Sequence, residues 1–212
     1  LRFLPPYYPG LKMVRSFGYT LKSAFQGNLR PGLKVIRGKT RTRGGKLQVT
    51  WHFQKRLLTA RLNMFGEFNA ANALAAVTAA EALGVRPAII KKALEIFQSV
   101  PGRLEVVMER PVKVVVDYAH TPDALEKVYQ TLFPLGKKMI CVLGSAGGGR
   151  DRWKRPKLGQ IAAAHCQYVI VTNEDPYDED PWQIINEVAG TTKAEKILDR
   201  KAAIRRALTI AK

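Results

Sequence analysis

The chain has 212 residues, 46% of them hydrophobic, with 35 Lys and Arg against 17 Asp and Glu and a formal net charge of +18. That apolar content supports a buried core and excludes wholesale disorder, and no run of about 18 apolar residues is present to span a membrane. Cys141 and Cys166 are too few for a disulfide or metal framework and read as buried free thiols of a reducing cytoplasm.

The charge is uneven along the chain. Residues 1–66 hold fourteen Lys or Arg and no acid, the first acid being Glu67. Such a block attracts phosphates or nucleic acid, so a nucleic-acid-binding module built on it is the alternative reading of the chain. There is no secretory signal, the first residue is Leu, and the last helical pattern reaches Lys212 without a stop signal. The expectation is a piece of a longer cytoplasmic protein.

In chain order, residues 1–32 are rich in Pro, Gly and aromatics and lack clear periodicity. Leu33–Ile36 and Leu47–Phe53 read as strands joined across the basic segment RGKTRTRGGK, and Leu57–Met64 as a third strand. Phe68–Leu83 is an Ala-rich helix with Gly84 where a C-terminal cap belongs, and Pro87–Phe97 is a second helix opened by Pro. Pro and Gly punctuate 99–102, which sets a domain boundary there. After it, strands and helices alternate. Strands are expected at Leu104–Met108, Val112–Val116, Met139–Leu143, Tyr168–Thr172 and Lys196–Leu198, helices at Asp123–Phe133, Pro156–Cys166, Pro181–Val188 and Lys201–Ala211. Repeated βα units predict an α/β fold with a mostly parallel sheet covered on both faces.

The most informative stretch is VKVVVDYAHTPDALE, residues 112–126. A β-branched run ends in Asp117, Tyr118, His120 and Thr121. Thr121 and Pro122 suit the start of a helix. Asp117, Tyr118 and His120 at the end of a buried strand suit ligand binding, because open α/β sheets bind at the carboxyl ends of their strands. Arg37-Gly38-Lys39-Thr40 is not a phosphate loop, since the glycine needed five positions before Gly38 is Leu33. Gly144 to Gly149 (GSAGGG) follows a strand and can present backbone amides to an anion, but Ala146 breaks a dinucleotide fingerprint. Glu174 and Asp175 end the next strand, where a ribose-binding acid would sit in a nicotinamide enzyme. Arg150, Arg152, Lys154 and Arg155 beside the glycine loop suit carboxylate or phosphate recognition, since cations at a helix start oppose its dipole. Asn69 and Asn72 share one face of the Ala-rich helix. Arg103, at the boundary, can reach a phosphate. His52 reads as structural, and His165 complements a helix C-terminus.

Five blocks in order, GEFNAANALAA (66–76), VPGR (100–103), VVVDYAHTPDALE (114–126), GSAGGGRDRWKRPKLG (144–159) and TNEDPYDEDP (172–181), make the chain resemble the Mur ligase family. Within it the UDP-N-acetylmuramoyl-tripeptide synthetases are most similar; folylpolyglutamate and cyanophycin synthetases carry variants of DYAHTPDALE. The resemblance covers about residue 60 to the end, with a looser match before. It implies the end of a central P-loop-type ATPase domain over 1–102 and a Rossmann-like C-terminal domain over 103–212. It implies ATP-dependent amide formation through an acyl phosphate, adding a free amino acid to UDP-N-acetylmuramoyl-L-alanyl-D-glutamate, with Mg²⁺, in a cytoplasmic monomer that engages no membrane.

By the same resemblance Asn69 and Asn72 lie by the adenine, Arg103 approaches the phosphates, Asp117 the ribose, and Tyr118 and His120 flank the nucleotide. Arg103, Asp117 and His120 would be the catalytic set. Arg150 would meet the acceptor carboxylate, and Glu174, Asp175, Pro176 and Tyr177 would select the acceptor. Three departures stand out. Glu174-Asp175-Pro176-Tyr177 replaces the Asp-Asn-Pro-Arg of diaminopimelate-adding members. The glycine loop is one residue longer, with Gly149 where Asp is common. The phosphate loop, the metal-binding Glu and His and the carbamylated lysine are expected upstream of residue 1, and a Gly-Lys-Gly-His-Glu block beyond 212, so the chain as given is not expected to be catalytically competent.

Overall fold

A computed structural model describes residues 17–20, 34–43, 46–53, 56–135, 138–149 and 151–211. The chain divides into two compact units, Leu1–Gln98 and Ser99–Lys212.

In the first unit, β1 (Phe17–Thr20), β2 (Lys34–Arg43), β3 (Lys46–Phe53) and β4 (Arg56–Leu62) form one sheet in that order. β1 pairs parallel to β2, and the remaining pairs are antiparallel. Strand alternation buries Leu47, Val49 and Trp51 of β3 and Ala60 and Leu62 of β4 against α1 (Glu67–Ala82) and α2 (Pro87–Ile96). Ala70 and Ala73 let the backbone of α1 approach the sheet, while Leu74 and Val77 fill the layer. Each of the large side chains contributes about 1.5–3 kcal/mol by leaving water. The polar tip of buried Trp51 is satisfied: Nε1 donates to Glu81 Oε1 at 3.2 Å.

Two features of this sheet differ from expectation. The basic segment expected to connect two strands is itself strand, since β2 runs to Arg43. Thr and long cations alternate there (Lys39, Thr40, Arg41, Thr42, Arg43), and β-branched Thr favours a pleated chain as much as charge favours a loop. Only 44–45, outside the described residues, connects Arg43 to Lys46. The second feature is β1, four residues too short to show a period. The rest of the Pro-, Gly- and aromatic-rich 1–32 lies outside the described residues.

In the second unit, β5 (Glu105–Met108) and β6 (Val114–Val116) form an antiparallel pair with an irregular register between Val106 and Met108. The expectation made them members of the parallel sheet. Only 109–113 joins them, and a parallel crossover needs a dozen or more residues, so the pair turns back on itself. β6 is also not a buried strand: Val114 and Val115 are half-buried and Val116 is exposed.

The parallel sheet is β7 (Ile140–Leu143), β8 (Tyr168–Thr172) and β9 (Glu195–Ile197), in that order. Val169, Ile170, Val171 and Thr172 are all buried, which requires cover on both faces of β8. The helices are α3 (Pro122–Leu132), followed by a 3₁₀ turn at Phe133–Leu135, then α4 (Lys154–His165), α5 (Pro181–Ala189) and α6 (Arg200–Ile210). Asp180 caps α5 through Trp182 N (3.0 Å), and Asp199 caps α6 through Ala202 N (2.6 Å). α4 and α5 pack closely at Gly159, where a Cβ would overlap the carbonyl oxygen of Val188. His165, in the last turn of α4, lies with Nε2 2.8 Å from Glu126 Oε1 of α3, tying the two helices. Cys141 and Cys166 are free and buried. Among the described residues no helix is long and apolar enough to cross a membrane.

Candidate active site

The loop after β6 is held by its own acid. Asp117 Oδ2 accepts from Leu104 N and Oδ1 from Ala119 N, both at 2.8 Å. Leu104 sits at φ +46, a left-handed conformation that costs a non-glycine residue of order 1–3 kcal/mol. The carboxylate thus clamps a strained turn to the strand end, and Tyr118 N, donating to Gly102 O at 2.8 Å, adds a second tie. Arg103 is carried by that turn, and its guanidinium carbon lies 5.5 Å from the centre of the Tyr118 ring. Tyr118 meets His120 edge-on at 5.4 Å, and His120 Nδ1 is 3.0 Å from Tyr118 O, which fixes the imidazole. Thr121 Oγ1 accepts from Ala124 N at 3.4 Å and starts α3, with Pro122 in its first turn.

The corner therefore gathers Arg103, Asp117, Tyr118 and His120. Tyr118 is 61% exposed, and Arg103 makes no ion pair among the described residues. Each carboxylate oxygen of Asp117 has a lone pair left after its backbone contact. An exposed ring, an unpaired guanidinium and a half-used carboxylate form a donor and acceptor set that fits a base or sugar face, phosphates and vicinal hydroxyls.

On α1, Asn69 is buried. Its Nδ2 donates to Phe65 O at 2.7 Å, and its Oδ1 accepts from Asn72 Nδ2 at 3.4 Å. Asn69 is not the helix cap, since Gly66 stands there; it anchors the preceding loop. Exposed Asn72 keeps its own carbonyl and one N–H free, which is the pattern an adenine edge needs.

A second corner lies at the ends of β7 and β8, where two loops dock on one another. Gly147 N donates to Asp175 O at 3.0 Å, and a Cβ at Gly147 would overlap the carbonyl oxygen of Pro176. Asp175 (φ +35) and Tyr177 (φ +54) are both left-handed, so strain concentrates in 174–177. Tyr177 is 66% exposed and stands over Gly148. Glu174 lies 3.9 Å from Arg200 Nη1. Ser145 Oγ and Asn173 Oδ1 are buried with no hydrogen-bond partner among the described residues, so the floor between the strand ends keeps unused polar capacity. Arg150 lies outside the described residues.

Two of the cations read as ligand-binding are committed internally instead. Arg155 is fully buried; Nη1 contacts Glu179 Oε2 (3.0 Å) and Glu187 Oε2 (2.6 Å), and Nη2 contacts Glu179 Oε1 (3.1 Å) and Ala146 O (3.2 Å). Arg152 Nη2 also meets Glu179 Oε2 at 2.7 Å. Two carboxylates offset the charge at the start of α4, so buried Arg155 braces the loops and does not face a ligand, while Arg152 shares Glu179 with it and stays 54% exposed. No local spacing reveals this, because Glu179 and Glu187 lie 24 and 32 residues from Arg155. Lys154 is buried without an ion pair among the described residues.

Hydrogen bonds from Arg155, then Arg152, hold the Glu179 carboxyl down at about 2, and Arg155 also lowers that of Glu187. An acid more readily ionised in the folded state stabilises the fold above its unfolded value of about 4.3, and that stabilisation is lost as the pH falls through about 2. The thermal midpoint should therefore drop between about pH 5 and pH 2, and Glu179→Gln should flatten that part of the profile. Calorimetry across the interval checks it; an equal slope in the variant would remove Glu179 from the account.

Among the described residues no group of three or more His, Cys, Asp and Glu is placed to hold a metal ion.

Residues 102–212 match the family model "Mur ligase, glutamate ligase domain". The chain is 44% identical over 169 residues, 76% of its length and 34% of the relative's, to the UDP-N-acetylmuramoyl-L-alanyl-D-glutamate–2,6-diaminopimelate ligase of Syntrophomonas wolfei. It is 40% identical over 185 residues (85% and 38%) to the ligase of the same name from Aquifex aeolicus. A solved structure of a ligase of that name superposes with a TM-score of 0.51 at 29% identity, covering 92% of this chain and 39% of the other. Folylpolyglutamate synthase of Mycobacterium tuberculosis, solved with ADP and AMPPCP, shares the fold with a TM-score of 0.69 at 20% identity (84% and 43%). The chain spans between a third and two fifths of the length of the curated relatives quoted.

Proposed function

The chain belongs to the Mur ligases, and on that premise we propose that it is part of a cytoplasmic ATP-dependent ligase of peptidoglycan precursor synthesis. The reaction would join a free amino acid to UDP-N-acetylmuramoyl-L-alanyl-D-glutamate through an acyl phosphate. Residues 1–102 would close the central ATPase domain and 103–212 would form most of the C-terminal domain, the whole acting as a monomer. The observation that carries the reading is the corner of Arg103, Asp117, Tyr118 and His120. Its exposed ring, free cation and half-used carboxylate match what a nucleotide presents.

In this reading Asp117 accepts ribose hydroxyls, Arg103 approaches the phosphates, and Tyr118 with His120 borders the nucleotide. Asn69 orients Asn72, whose free amide edge suits an adenine. ATP supplies the phosphoryl group that activates the substrate carboxylate, and catalysis rests on positioning and charge stabilisation. Mg²⁺ would be held outside the described residues. Arg150 meets the acceptor carboxylate, and 174–177 shapes the acceptor pocket. The relatives are named as diaminopimelate ligases, but the exposed, uncharged Tyr177 offers no fork for a distal carboxylate.

The test is product formation by the full-length protein from ATP, UDP-N-acetylmuramoyl-L-alanyl-D-glutamate and a panel of amino acids, read by mass spectrometry with ADP release. Amide product is expected; ATP turnover with no amide from any amino acid would refute the proposal. Tyr177→Arg should shift preference toward diacids such as diaminopimelate by about tenfold, the worth of one charge-assisted hydrogen bond. An unchanged ratio of kcat/KM values would remove Tyr177 from selection.

A further inference from the structure

The turn that presents Arg103 is held by two acids, one at each end. Asp117 holds the far end through Leu104 N. The near end belongs to Glu105, the first residue of β5, whose Oε2 accepts from Gly102 N at 2.7 Å. Register explains how both acids reach one turn. Glu105 pairs with Val116 across the antiparallel ladder, so it stands beside the residue that precedes Asp117. Two backbone contacts complete the hold, Arg103 N donating to Val100 O at 3.0 Å and Tyr118 N to Gly102 O at 2.8 Å.

A plain connection between two units does not need so much. Gly102 (φ +68) and Leu104 (φ +46) flank Arg103, and both are left-handed. Glycine takes that conformation freely, but leucine does not, and such strain persists only where the surroundings over-determine it. Leu104 is buried and Arg103 is exposed, so one side chain seats the turn while its neighbour is offered to solvent. An arginine on a loose turn loses backbone as well as side-chain freedom when a ligand takes it; a turn fixed beforehand removes part of that cost. Glu105 commits its oxygen to a backbone N–H, where a carboxylate is a stronger acceptor than a neutral group, and Arg103 stays unpaired.

We infer that Glu105 is a positioning residue for nucleotide binding: it fixes the turn so that Arg103 reaches the phosphates, and it does not touch the ligand itself. This role rests on the nucleotide reading of the corner and adds to it a residue from the strand facing β6. Because Glu105 works only through Arg103, its removal cannot cost more affinity than the removal of Arg103. That ceiling separates positioning from a general structural effect, which would weaken binding whether or not the arginine is present.

The experiment is titration calorimetry of a non-hydrolysable ATP analogue into the full-length protein, with Glu105→Ala made in both the wild-type and the Arg103→Met backgrounds. In wild type the substitution should weaken binding about tenfold, the effect of one charge-assisted hydrogen bond on the population of the competent turn. In Arg103→Met it should change Kd by less than about twofold, since nothing is left to position. Glu105→Asp keeps the charge at the strand end but falls one methylene short of Gly102 N, so it should match alanine at about tenfold. Glu105→Gln keeps an acceptor at the same reach and should stay within about threefold of wild type. The KM for the amino-acid acceptor should be unchanged throughout. Equal weakening in both backgrounds, a glutamine variant as impaired as alanine, or an aspartate variant equal to wild type would overturn the assignment. A wild-type protein that does not bind the analogue would remove the nucleotide reading and this role together. Binding that responds to Arg103→Met but not to Glu105→Ala would remove this role alone.

Discussion

Replacing Arg155 by methionine should destabilise the second unit by about 3 kcal/mol, the lower end of what removing one partner from a buried ion network costs. The lower end applies because Glu179 and Glu187 keep 11% and 29% side-chain exposure and can recover some hydration. For a unit of this size that is a fall of roughly 10 °C in Tm. The physical cause is not lost attraction alone. Two carboxylates would face one another without their shared cation, and the carbonyl of Ala146 would lose its donor, so the glycine loop would lose its brace. Arg155→Lys should recover only part of the loss, because an ammonium cannot span both acids and the carbonyl as a planar fork does. Thermal denaturation of the three proteins at neutral pH checks it. Equal midpoints would mean that the network is decoration on a fold stabilised elsewhere.

The second large effect is expected on activity. Asp117→Ala in the full-length protein should lower kcat/KM for ATP by about a hundredfold or more, the scale of a small misplacement of reacting groups. The acid has two tasks. It holds the N–H groups of Leu104 and Ala119, and in the proposed site it accepts the ribose hydroxyls. Alanine removes both, leaving the N–H groups of left-handed Leu104 and of Ala119 without their acceptor, with a local cost of about 1–3 kcal/mol for each one buried. Asp117→Asn retains a carbonyl acceptor and should fall between wild type and alanine. Steady-state kinetics alongside circular dichroism separates the two tasks. Near-normal turnover in the alanine variant would dismiss Asp117 from the site.

Much of this was readable from the chain because the signals are local. The cap at Thr121, the prolines opening α2, α3 and α5, and the apolar run of β8 each act within a few residues. The helices accordingly start and stop within about two residues of expectation. What escaped was decided by partners far away in sequence. Nothing near Arg155 announces Glu179 and Glu187, so its charge looked available when it was already used. β5 and β6 had strand composition, but only the five residues between them decide antiparallel over parallel. The segment 37–43 looked like a loop because charge and glycine were weighed above the alternation of Thr with cations that a strand can carry. At the candidate site the residue types at the end of β6 were legible. The clamp from Asp117 to Leu104 was not, since it depends on a left-handed turn thirteen residues earlier.

The turn bearing Arg103 and the loop bearing Asp117, Tyr118 and His120 should act as one nucleotide-binding surface. Titration calorimetry of a non-hydrolysable ATP analogue into the full-length protein measures this. Arg103 is exposed, so Arg103→Met leaves the core untouched. The variant should bind the analogue at least tenfold more weakly, since a hydrogen bond to a charged group contributes about 1.5–3 kcal/mol. Identical Kd values for wild type and variant would contradict the account.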